Sequence, residues 1–133
     1  MFRRKKKQTK LELFPAQDVL KHVYNLIHEL DLTHISKKDI FCMRSKGSNA
    51  RAYARIWGLS RIFQVAAGMR PTYVIEVLSE RFDKLSHEQQ IKVLIHELMH
   101  IPKTFSGALL SHRGKYHRID HGEVEKMFKR LKN

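Results

Sequence analysis

The chain has 133 residues and a formal net charge of +13, from 26 Lys and Arg against 13 Asp and Glu, with 42% hydrophobic and 29% charged residues. That length suits one domain with a modest core, and the composition is that of a folded chain rather than a disordered one. No stretch is apolar enough for a membrane span or a secretory signal, so a cytoplasmic location is expected, and the single cysteine, Cys42, excludes an intramolecular disulfide and a cysteine-based zinc knuckle.

Residues 1–12 read as a basic, mobile tail, because Arg3, Arg4, Lys5, Lys6, Lys7 and Lys10 come with almost no apolar content. Residues 13–133 are expected to form the domain. Pro15 precedes a segment in which Val19, Val23, Leu26, Ile27 and Leu30 recur at helical spacing, which predicts an amphipathic helix over 16–31. Residues 39–45, 53–57 and 61–66 read as short strands of one antiparallel sheet, the last two flanking a break at Gly58. Residues 73–78, with three β-branched side chains and a tyrosine, make the best strand in the sequence.

Ser86 with Gln89 forms a capping box ahead of an apolar helix whose Ile91, Leu94, Ile95 and Leu98 share a face, and Pro102 stops that helix. A Gly- and Ser-containing loop follows. Asp120 with Glu123 caps a last helix carrying the stripe Val124, Met127, Phe128 and Leu131. The fold class is therefore α+β: a short antiparallel or mixed sheet packed on the central helix, with a helix near each end.

His96, Glu97 and His100 spell H-E-x-x-H inside the central helix. Residues four apart lie one above the other, so both imidazoles can reach one cation while Glu97 faces a water beside it. The composition of this chain gives about 0.04 accidental matches to that pattern. Two structural histidines are the plainer alternative, but burying three ionisable groups without a compensating partner costs several kcal/mol. With three nitrogen or oxygen ligands and an open position, zinc is the expected metal. His112, in a glycine-bracketed loop able to fold back over the metal, is the favoured third ligand. His117, then His121 at the start of the last helix, then Glu123 or Glu125, remain alternatives.

The stretch containing HELMHIPKTFSGALLSHRG resembles the phage metallopeptidase family, found in archaea and their viruses, over about residues 40–131. The resemblance implies a small zincin fold, a bound zinc and peptidase activity. The family's histidine after the SG segment corresponds to His112. A remoter similarity to SprT-like proteases, which cut proteins on DNA, rests on size and charge; His121-Gly122 lacks the aromatic of their signature.

The expected chemistry is peptide hydrolysis. Zinc would lower the pKa of its bound water and polarise the scissile carbonyl, with Glu97 as general base passing the proton to the leaving amine. The strand at 73–78 is the expected edge for an extended polypeptide substrate, and Tyr116 and Arg113 are candidate oxyanion partners. The surplus of charge in 3–10 and 103–118 makes nucleic acid a second expected partner, with a heat- or salt-adapted surface as the equal alternative. A basic nucleic-acid-associated protein with a structural zinc is the competing function, and a protease recruited to DNA would combine the two. Trp57, Phe63 and Phe105 are expected in the core.

Overall fold

A computed structural model describes residues 10–114 and 117–131. In the first helix, α1 (Gln17–Glu29), Val19, Val23, Leu26 and Ile27 are all buried, so the apolar stripe is the face that packs on the sheet. The N-cap half of each capping box forms as the sequence suggests. Ser86 Oγ accepts the Gln89 amide at 3.2 Å at the start of one helix (His87–Met99), and Asp120 accepts the Glu123 amide at 2.9 Å at the start of another (His121–Arg130).

Four strands form one sheet: β1 (Glu12–Pro15), β2 (Ile40–Lys46), β3 (Ala54–Gly58) and β4 (Tyr73–Leu78), in the order β1-β2-β4-β3. The sheet is mixed rather than antiparallel. β4 enters between β2 and β3, antiparallel to β3 and therefore parallel to β2, with Ile40 opposite Tyr73 and Ser45 opposite Leu78. β1, not foreseen because Pro15 obscures a four-residue strand, pairs antiparallel with β2.

This order corrects the expectation for residues 73–78. β4 is an interior strand, with Tyr73, Ile75 and Val77 in the core and Glu76 and Leu78 buried on the opposite face. Its backbone hydrogen bonds go to β2 on one side and β3 on the other, so it leaves no free edge for a substrate. The edge beside the central helix belongs to β3.

Residues 61–66 are also corrected, from strand to the helix α2 (Arg61–Ala67). Gly68 closes it in the left-handed conformation at φ 62°, and Gln64 is its one buried residue. Ile62, Phe63 and Val65 are exposed, so their β propensity finds no pleated neighbour to pack on. Trp57 and Phe63 are likewise exposed rather than in the core, while Phe105 is half-buried with its ring 4.9 Å from that of Tyr73.

After the single turn α3 (Ser79–Phe82), the central helix, α4 (His87–Met99), packs with α1 against one face of the sheet. The last helix, α5 (His121–Arg130), lies on α4 through Val124 and Phe128. The architecture is a small α+β domain of the zincin type. No helix among the described residues is long and apolar enough to cross a membrane.

Candidate metal and active site

The face of α4 opposite its apolar stripe carries His96 and, at the helix cap, His100. Their Nε2 atoms are 3.3 Å apart, and His112 brings its own Nε2 to 3.2 Å from that of His96. One ring nitrogen from each lies within 4.8 Å of the other two. An imidazole Nε2 carries at most one proton, so hydrogen bonding cannot satisfy both contacts of His96 at once. Two nitrogens at about 2.0–2.1 Å from a shared tetrahedral cation stand about 3.3 Å apart, so the three rings fit one small metal ion.

The orientation of His100 follows from its second nitrogen. Its Nδ1 lies 2.6 Å from the Leu110 carbonyl, so Nδ1 holds the proton and Nε2 presents a lone pair to the other rings. The Leu110 amide in turn donates to the His100 carbonyl at 2.8 Å. Helix and loop are thus clasped at two points, two residues before His112.

The same loop is held from the sheet by residues that the sequence pattern did not single out. The Tyr73 hydroxyl accepts the Gly107 amide at 2.8 Å and donates to the Ala108 carbonyl at 2.7 Å. Gln64 Nε2 donates to the carbonyls of Leu59 at 2.8 Å and Ser106 at 2.9 Å, which ties α2 to the loop. Gly107, at φ 95°, passes so close to Leu59 that a Cβ would strike its carbonyl, and a Cβ on Gly58 would strike the Gly107 carbonyl. A polar hydroxyl at the very start of an apolar strand is the one sequence signal for Tyr73.

Burial and crowding set the charge state. Burial, then His100 and His112, push the His96 pKa down to about 4, and burial together with His112 and His117 lowers that of His100. His96 and His100 therefore favour the neutral imidazole that a metal needs. Glu97, 7% exposed, points between α4 and β3, and burial alone raises its pKa to about 8. Cys42 is buried in the core, with its thiol pushed up to about 12, and takes no part.

The other candidates are engaged elsewhere. His117 Nε2 lies 2.9 Å from the Ser111 carbonyl. His121 opens α5 with its side chain 88% exposed, Glu125 holds Lys92 at 2.7 Å, and Glu123 contacts Lys126 at 3.3 Å. Arg113 is exposed, its backbone bridged to Arg118, and Tyr116 lies outside the described residues.

Two cavities meet at His96 and Glu97. One, of about 630 Å³, runs past Ile56, Leu109 and His112; the other, of about 410 Å³, reaches Val93 and Val124. Ala52 and Ala54 line both, so a single cleft follows β3 across the three imidazoles. A family model described as "Putative phage metallopeptidase" matches residues 11–132. The chain belongs to the phage metallopeptidase family. No curated protein and no solved structure matches the chain. A metallopeptidase implies a metal and a polypeptide substrate, and the three imidazoles could hold such a metal.

Proposed function

We propose that this chain is a zinc-dependent peptidase with His96, His100 and His112 as metal ligands and Glu97 as general base. The observation that carries the reading is the pair of Nε2 separations, 3.2 and 3.3 Å, with the third imidazole supplied by a separate, braced loop. Three nitrogen donors without a thiolate suit zinc. Zinc, when bound, supplies Lewis acidity that polarises a carbonyl and makes water a nucleophile near neutral pH.

The chain's own residues do the rest. Among the described residues β3 pairs with β4 alone, so its outer edge can pair with an extended peptide and lay it along the cleft. Glu97, next to His96 and facing the same space, takes the proton of the attacking water and delivers it to the departing amine. The loop clasp at Leu110 fixes the ring of His100 in one orientation throughout.

Zinc content, calorimetric zinc affinity and hydrolysis of a quenched-fluorescent peptide library, measured for the parent and Glu97→Gln, test the reading. The variant is expected to keep about one zinc per chain and lose hydrolysis. Parent protein that binds no zinc, or hydrolysis at the parental rate in Glu97→Gln, refutes it.

A further inference from the structure

We propose that the cavity of about 410 Å³ between α4, α5 and the start of β3 receives one side chain of the substrate and selects a neutral, apolar one. This rests on the peptidase reading above and adds a substrate class to it. The cavity opens directly on His96 and Glu97, so a side chain filling it belongs to a residue beside the bond being cut. Its size is at the lower end of ligand pockets, about 300–1,000 Å³, which is room for one aliphatic or aromatic side chain. Tyr53, Ala54, Val93 and Val124 give it carbon-rich walls.

Lys92 also lines the cavity and would draw an acidic side chain if its charge were available. It is not: the ammonium lies 2.7 Å from the Glu125 carboxylate, 3.8 Å from that of Glu88 and 4.9 Å over the Phe128 ring, with the side chain 16% exposed. An incoming carboxylate would be desolvated against a cation already neutralised at contact distance, and the other basic side chain of the lining, His121, is 88% exposed and lies 3.8 Å from the same Glu125 carboxylate. An apolar side chain meets no such cost and gains the burial of its own surface.

The test titrates zinc-loaded full-length protein calorimetrically with succinyl hydroxamates differing only in the side chain beside the metal-binding group: hydrogen, isobutyl, benzyl or carboxyethyl. Isobutyl and benzyl are expected to bind at least tenfold tighter than hydrogen, about 1.4 kcal/mol, and carboxyethyl no tighter than hydrogen. Val124→Trp, filling the cavity, should remove most of the isobutyl gain relative to the hydrogen compound. Ala52→Trp, at an exposed rim position, serves the same purpose if the first variant fails to fold. Glu125→Gln, which weakens the neutralisation of Lys92, should raise carboxyethyl binding relative to isobutyl at least threefold. Equal affinity for all four compounds, or an isobutyl gain that survives both tryptophans, overturns the pocket alone. Protein that takes up no zinc refutes the metal-site reading beneath it.

Discussion

Tyr73→Phe removes one oxygen atom and leaves the ring, which is buried and packs 4.9 Å from Phe105. The hydroxyl accepts from the buried Gly107 amide and donates to the carbonyl of the exposed Ala108. A buried N–H left without a partner costs about 1–3 kcal/mol, whereas water can reach the Ala108 carbonyl and offset much of its loss. The expected destabilisation is therefore about 2–3 kcal/mol. With an unfolding entropy near 2.1 cal/mol/K per residue over 133 residues, Tm should fall by about 7–11 °C. The same loop carries Leu110 and His112, so zinc affinity should drop by about tenfold or more, although Tyr73 touches none of the imidazoles. Thermal melts followed by circular dichroism, with and without zinc, and chelator competition for the zinc Kd measure both effects. A Tm within about 2 °C of the parent refutes the energetic argument. A lowered Tm with unchanged zinc affinity refutes the claim that the brace positions His112.

Among single histidine variants, His112→Ala should weaken zinc binding more than 100-fold, because it removes a ligand from a set of three. His121→Ala should change it less than about threefold, and His117→Ala, bonded to the carbonyl beside His112, less than about tenfold; any other ranking of the measured dissociation constants reassigns the third ligand. Glu97→Gln should stabilise the metal-free protein in a pH-dependent way. Because the folded pKa of Glu97 is raised from 4.5 to about 8, the stability of the parent is fullest below 4.5 and is lost as pH rises through 8. At pH 7 that loss is at most about 3 kcal/mol. Melting temperatures of parent and variant should therefore be closest near pH 4.5 and diverge steadily up to about pH 8, and a gap that is constant with pH would contradict the buried carboxylate.

What was legible in the sequence is what local rules govern. The capping pairs Ser86/Gln89 and Asp120/Glu123, the apolar stripes of α1 and α4, and the i, i+4 placement of His96 and His100 each depend on residues within a turn or two. The loop of His112 was legible at one remove, since glycines on either side allow a chain reversal without showing where it docks. Strand order was not legible, because nothing local tells that β4 slots between β2 and β3; its near-continuous burial was the available hint. α2 misled because Ile62, Phe63 and Val65 have strand-like side chains, while the contacts that decide its conformation run from Gln64 to Ser106, 42 residues away.

The two halves of the imidazole cluster therefore differ in origin. His96 and His100 are placed by the hydrogen bonds of one helix turn and stay neighbours for as long as α4 is folded. His112 is placed by tertiary contacts alone: the Leu110 clasp, the Tyr73 hydroxyl, the Gln64 amide and the close approach of Gly58 and Gly107. Opening the loop leaves two imidazoles in place, so local opening should release a metal before the helix melts. By linkage, an ion held by all three rings stabilises the closed loop by as much as the closed loop strengthens its binding. Residues far from the cluster in sequence thereby become determinants of metal affinity, and the metal a determinant of order in the loop that walls one side of the cleft.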